Sequence, residues 1–392
     1  MTLDSNTCQD SSIGACVHLT IGDVRVAVQS DLKRLLSEVA ALYPCESKTP
    51  TPSRTIRIEV RRTRRRPLGN RYRVYADGEE IGGERRSNEV FPFVEWAINL
   101  RVIATRSRYA QLHAASMAYR GNGFIFAGGS GSGKSTLAAG LMARGWKYFS
   151  DEFALVERDT LCLHPFPKPL CIKAGSFQVI RRLGIPFARC RDFIKSQKGR
   201  VGYINPYDIG NDSVGRSAPV RFVVFPTYVD KQQPKLRPIS RTRALMDLAG
   251  CVFNRHAFDD QALSILHKVI GRAQCFRLET GDIQKTCQLI ETELCQAPVC
   301  HQDEPSQRGE MTREPPGRNV QDSCATLSRR AMLKRGAILA YAAPTVMTLT
   351  AQQAFAATSN PSGICSTAVQ NGAACDTDSD CCSGNCDFGV CI

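Results

Sequence analysis

The sequence predicts an α/β core flanked by a small N-terminal α/β region and a disulfide-rich C-terminal miniprotein. Three observations carry this. Between Ala110 and Cys300, apolar runs alternate with helical patterns, and one strand-to-helix junction is filled with glycine. The first hundred residues show strand-period alternation around helical repeats. Six of the eighteen cysteines fall within Cys365–Cys391. A chain of 392 residues exceeds one typical core. The expected units are an N-terminal region at 1–105, a central domain at 106–300, a linker at 301–327, an apolar segment at 328–357 and a cysteine-rich segment at 358–392.

In the N-terminal region, "VHLTIGDVRVAV" reads as two strands joined at Gly22-Asp23. "DLKRLLSEVAALY" places apolar residues at helical spacing. In "RTIRIEVRR", Ile56, Ile58 and Val60 alternate with Arg57, Glu59 and Arg61, the period of a half-buried strand. "RYRVYADGEEIGGE" reads as a hairpin and "NEVFPFVEWAINLRVIATRS" as a helix. Residues Arg54–Arg73 hold nine arginines and one acid. A solvated strand face explains them better than a nucleic-acid groove, because no RNA-binding aromatic motif or zinc-finger spacing accompanies them. The net charge of +14 nevertheless favours anionic partners, including nucleotide phosphates.

The central domain opens with an apolar strand carrying His113, then a second strand at Phe124–Ala127, then "GGSGSGKST". Gly128, Gly133, Lys134 and Ser135 fit G-x-x-x-x-G-K-[ST], and a helix starts at about Lys134. In this pattern the bare backbone of Gly128, Gly129, Ser130, Gly131, Ser132 and Gly133 turns amide groups toward phosphate oxygens. The helix dipole favours the same anion. Lys134 is expected on the β- and γ-phosphates, Ser135 on Mg²⁺, and Thr136 behind them. ATP or GTP binding follows. Downstream, "RGWKYFSDEFALVERD" reads as one strand whose middle carries Ser150, Asp151 and Glu152. Adjacent carboxylates in an apolar strand need a use or a partner: Mg²⁺, an acceptor proton or a salt bridge.

This order of motifs resembles the catalytic domain of the HPr kinase/phosphorylase family, and most of all its relatives in bacterial peptide-modification clusters. His113-Ala114, Gly128–Thr136, Arg144-Gly145 and Asp151-Glu152 carry the resemblance, over roughly residues 105–230. It implies a phosphoenolpyruvate-carboxykinase-like core and an ATP-dependent serine kinase. It also implies Asp151 as general base and Mg²⁺ ligand with Ser135, Glu152 in place of a second aspartate, and His113 beside the γ-phosphate. The family's second glycine-rich signature has no match. Residues 196–206, "SQKGRVGYINP", stand in its place, with Lys198 or Arg200 toward the phosphates. Phosphorolysis is therefore not expected, nor is HPr as the substrate.

Beyond the flanks, Val220–Asp230 reads as a central strand, "TRALMDLAGCVFNRHAFDDQALSILHKVIG" as packed helices, and Asp259-Asp260 as a solvated turn or cap. The twelve cysteines from Cys8 to Cys324 read mostly as reduced, buried thiols. Ser328-Arg329-Arg330 opens a twin-arginine-like pattern. It is followed by an uncharged run from Gly336 to Ala357 that ends in a small-x-small cleavage site at Ala354-Phe355-Ala356. A buried helix is the competing reading. The last six cysteines resemble a knottin-type miniprotein, with a zinc site as the alternative; their connectivity stays open.

The expected function is an ATP-dependent serine kinase acting on a protein or ribosomal peptide, its own C-terminal segment among the candidates. A nucleotide-binding sensor or assembly switch, tethered to a membrane through 336–357, is the alternative. The kinase domain is expected in the cytoplasm and the tail exported or tethered. Homo-oligomerisation and the preference for ATP over GTP stay open.

Overall fold

The computed structural model describes residues 14–43, 55–64, 69–105, 108–186, 193–195, 198–210, 212–253, 260–295, 386–387 and 390–391. It is a mixed α/β protein with several sheets. Strands β1 (Ala15–Ile21) and β2 (Val24–Ser30) form the first hairpin, turning at Gly22 with φ 60°. Helix α1 (Lys33–Leu42) crosses over to β3 (Thr55–Arg64), which runs parallel to β2. Strands β4 (Asn70–Ala76) and β5 (Glu79–Arg85) complete a five-stranded sheet in the order β1-β2-β3-β4-β5. Their turn places both Asp77 and Gly78 at positive φ, 51° and 87°, as a two-residue hairpin favours. Helix α2 (Val90–Thr105) then lies on β3 and β4.

The alternation in β3 works as expected. Ile56, Ile58 and Val60 are buried against α1 and α2, while Arg57, Arg61 and Arg62 point outward. There they meet acids: Arg61 with Glu59 (2.7 Å), Arg62 with Asp31 (3.6 Å), and Arg73 with Glu80 (3.3 Å) and Glu84 (3.6 Å). The same core takes in Phe153, Phe166, Phe193 and Tyr203, so the N-terminal sheet and the central domain share apolar packing.

The central sheet begins with β6 (Tyr109–Tyr119), β7 (Asn122–Ala127), α3 (Lys134–Met142), β8 (Lys147–Ser150), β9 (Phe153–Glu157) and β10 (Cys162–His164). A side sheet has the order β11-β13-β12, from β11 (Leu170–Lys173), β12 (Phe193–Lys195) and β13 (Gly199–Ile204), with α4 (Phe177–Arg182) after β11. The central sheet continues through β14 (Ala218–Tyr228), β15 (Lys235–Pro238), α5 (Arg241–Ala249), α6 (Asp260–Arg272), β16 (Gln274–Thr280) and α7 (Ile283–Cys295). Its strand order is β10-β9-β6-β7-β14-β16-β15, with β8 beside β6. Strands β7, β14 and β16 are parallel. One face packs on α3, α4 and α7, the other on α5 and α6. Gly140 lets α3 approach α7: a Cβ there would lie 2.8 Å from Ile283.

Two readings need correction. The stretch 147–157 is two strands, not one, because the chain bends at Asp151-Glu152. Ser150 Oγ accepts the amides of Glu152 (3.4 Å) and Phe153 (3.1 Å), and the pairing of β8 with β6 shifts register there. In a continuous strand neighbouring side chains would point to opposite faces; the bend frees both carboxylates to turn to one partner. Among the described thiols, only Cys275 and Cys287 are fully buried. Cys16, Cys162, Cys171, Cys251 and Cys295 are partly exposed, because they sit on element ends and a cavity wall. Asp260 begins α6, whereas Asp259 lies outside the described residues. The twin-arginine-like segment lies outside them too. So does the cysteine-rich tail, except β17 (Cys386–Asp387) and β18 (Val390–Cys391), which pair antiparallel. No described helix is long and apolar enough to cross a membrane.

Candidate active site

The glycine loop sits at the carboxyl ends of β7, β14 and β16, where open α/β sheets place ligands. Gly131 and Gly133 hold φ 86° and 91°, a region other residues avoid. Gly128 is needed for space, since a Cβ would lie 2.9 Å from Ser132 Oγ and 3.2 Å from the Pro226 carbonyl. Helix α3 starts at Lys134 with no side chain capping its first turn. Its leading amides are therefore available to an anion.

Ser130–Thr136 line one cavity together with His113, Asp151, Glu152, Cys171, Lys173, Lys195 and Lys198. The order of residues along the chain thus becomes one surface, with amides and Lys134 on one wall and carboxylates across from them. Gly128 and Gly129 do not line the cavity. Their carbonyls accept hydrogen bonds from Lys134 Nζ, at 2.9 Å for Gly129. The Ser132 hydroxyl is buried with no hydrogen-bond partner. An orphaned donor and an uncapped helix start are what a phosphate group would satisfy, so the residues fit a nucleotide's phosphates.

Ser135 Oγ donates to Asp151 Oδ2 at 3.1 Å. Mg²⁺ uses one or two protein oxygens beside phosphates and water, so this pair fits the ion. Asp151 also accepts from the Cys171 amide (3.2 Å) and Tyr148 OH (3.2 Å), and lies 3.5 Å from Lys168 Nζ. Thr136 faces Ser176 (2.7 Å between hydroxyl oxygens), and Lys173 donates to Ser130 (3.2 Å). Lys198 reaches the cavity, but Arg200 does not: its guanidinium lies 5.5 Å over the Phe177 ring.

His113 is half-buried on β6, edge-on to Phe253 at 5.2 Å. Burial first, then Lys134 and Lys198, push its pKa down to about 3, against the pull of Glu152. It can offer a phosphate a neutral hydrogen bond but not a charge. Because the unfolded chain protonates His near pH 6.5, it binds the proton that the folded chain refuses. This group's contribution to stability therefore falls as pH drops from about 6.5 to about 3. Imidazole NMR across pH 8 to about 5 is expected to show His113 neutral throughout; an imidazolium signal at pH 5.5 would contradict the assignment.

Sequence reasoning passed over the cluster behind the carboxylates. Lys168, 1% exposed, contacts Glu95, Glu152 (2.8 Å) and Asp151. Glu95, on α2 and 0% exposed, also accepts from Lys195 (2.8 Å) and Tyr203 OH (2.8 Å). Glu152 takes a further hydrogen bond from Asn99 (3.1 Å). Burial would raise the Glu152 pKa, but Lys168, then Lys195 and Lys198, hold it well below the usual range. Burial likewise opposes charge on Lys168, and the three carboxylates override it. Glu152 is thus an ion-pair partner as well as a cavity residue. Two sequence signals mark the cluster: a lone Glu in the apolar helix "VFPFVEWAINL", and a lysine between prolines in "HPFPKPL".

No protein-family model and no curated protein matches the chain. Among solved structures, the Hpr(Ser) kinase/phosphatase from Coxiella burnetii is similar to 46% of this chain, over 91% of its own length, at 15% identity and a TM-score of 0.24. So loose a likeness carries no weight for the chemistry, which rests on the residues described above.

Proposed function

We propose that the chain is an ATP-dependent kinase that phosphorylates a seryl hydroxyl of a protein or peptide. The observation that carries this is the single cavity in which the glycine loop and Lys134 face Asp151, with Ser135 bridging the two walls. The loop amides and Lys134 hold the β- and γ-phosphates of ATP. Ser135 and Asp151 hold Mg²⁺, which when bound neutralises charge on the phosphates. Asp151 orients the acceptor hydroxyl and takes its proton. The seryl oxygen bonds to the γ-phosphorus, the bond from γ-phosphorus to the β–γ bridging oxygen breaks, and ADP leaves with the electron pair. Three hydrogen-bond donors already meet Asp151, with the Lys168 ammonium 3.5 Å away, so the acceptor needs the Oδ2 position that the Ser135 hydroxyl fills. Serine as acceptor is supported by the order of sequence motifs alone.

That saturation of Asp151 is also what favours the second reading, a nucleotide-binding switch without transfer. Incubating the protein with γ-labelled ATP and a peptide of residues 311–392 separates the two. Label on Ser366, Ser379 or Ser383 supports the kinase and names its own tail as substrate. Nucleotide binding with no transfer to any of a broad serine-peptide set supports the switch.

Lys134 adds a pH test. Burial, then Lys198, lowers its pKa to about 8. The protonated amine is the phosphate-binding form, so ATP affinity is expected to be full below pH 8. Above it, affinity falls by up to about tenfold per pH unit. A calorimetric Kd that stays flat from pH 7 to about 9.5 would remove Lys134 from the phosphates.

A further inference from the structure

We propose that Lys168 is the positioning residue for both site carboxylates, and that Glu95 of helix α2 is its anchor, so that the N-terminal unit is part of the catalytic apparatus. This rests on the kinase reading for its activity readout but not for its geometry.

An ammonium has three N–H donors and no acceptor. Lys168 has three carboxylates within reach, from two places: Glu95 from α2, and Asp151 and Glu152 from successive positions of the β8–β9 bend. The bend frees the two carboxylates, and without Lys168 nothing in the bend itself would bring them to one point. The lysine is held at its own backbone. Pro167 and Pro169 flank it, fixing both neighbours' φ and disfavouring helix at Lys168. Its amide donates to the Phe166 carbonyl (2.8 Å), and its carbonyl accepts from Tyr148 OH (3.2 Å). Tyr148 shares that one hydroxyl proton with Asp151 Oδ1 (3.2 Å), which ties the lysine's main chain to the carboxylate its side chain approaches. On the far side, Glu95 is fixed by Lys195 and Tyr203 from the side sheet. Asn99, one turn along α2 from Glu95, bonds Glu152 directly. Two residues of one N-terminal helix thus set the site's acidic wall, although neither lines the cavity.

A purely structural role for Lys168 and a positioning role differ in what restores function. Lys168→Met leaves buried carboxylates short of a cation and is expected to fold poorly. The double variant Lys168→Met with Glu95→Met removes one charge of each sign and keeps the cluster's net charge. Its melting temperature is expected to rise above that of Lys168→Met but to stay below the wild type, because Lys195, Asp151 and Glu152 each lose a partner. Its kcat is expected to remain at least about 100-fold down with the KM for ATP little changed, because the glycine loop is untouched. The amide of Cys171 gives a reading that needs no turnover, since it donates to Asp151 Oδ2 at 3.2 Å. In the double variant its NMR resonance should shift upfield and its hydrogen exchange accelerate. Wild-type kcat and an unchanged Cys171 amide in the refolded double variant would overturn the proposal. Absence of transfer by the wild-type protein would sink the kinase reading alone, and the Cys171 amide would still decide whether Lys168 positions Asp151.

Discussion

Asp151→Asn is expected to slow phosphoryl transfer by about 10²- to 10⁴-fold while the Kd for ATP stays within about threefold. The substitution is nearly isosteric, so the cavity keeps its shape and the loop its phosphate contacts. It changes what the group can accept. Oδ2 receives hydrogen bonds from Ser135 and the Cys171 amide, and Oδ1 one from Tyr148, with Lys168 beside it. An amide has one accepting oxygen. Whichever way it turns, its NH₂ faces a donor, and it cannot take a proton from the acceptor hydroxyl. Rapid-quench assays at saturating ATP, with calorimetry for binding, check both halves. Normal turnover would remove Asp151 from its role. A large loss of ATP affinity would make it a phosphate-site residue and not a base.

Glu95→Gln is expected to destabilise the fold by about 3–5 kcal/mol, the range for removing one member of a buried ion pair. Glu95 balances two buried lysines, Lys168 and Lys195, and accepts the Tyr203 hydroxyl. The glutamine oxygen can still serve Tyr203, but nothing replaces the charge, and the NH₂ group faces an ammonium. Replacing Glu95 and Lys195 together by methionine should recover most of the loss, since buried pairs often exchange for apolar residues at little cost. Urea unfolding of the three proteins measures this. A loss below about 1 kcal/mol for Glu95→Gln would mean the cluster is solvated enough for water to take over.

The N-terminal sheet was legible because its signals are local. Ile56, Ile58 and Val60 need only a two-residue period, and Gly22 and Gly78 mark turns with their neighbours. The glycine loop is local as well, nine consecutive residues whose backbone makes the cradle. The β8–β9 bend was not legible, since the apolar residues on both sides of Asp151-Glu152 continue a strand pattern. What breaks it is a Ser150 hydroxyl taking two amides, a choice that apolar periodicity does not record. The Glu95 cluster was hidden by distance along the chain. Lys168 is 73 residues from Glu95 and Lys195 is 100. Each residue seen alone is an odd charge in an apolar setting; only the fold shows that the oddities answer one another. Arg200 shows the converse: a cation at a suggestive place in the sequence that folds over Phe177 instead of the cavity.

The most direct test is a crystal structure with Mg²⁺ and a non-hydrolysable ATP analogue. The triphosphate is expected along Ser130–Thr136, with Lys134 Nζ moved from the Gly128 and Gly129 carbonyls onto phosphate oxygens and the Asp151 carboxylate facing the terminal phosphorus. A triphosphate bound elsewhere, or Lys134 still on those carbonyls with the analogue in place, would contradict it.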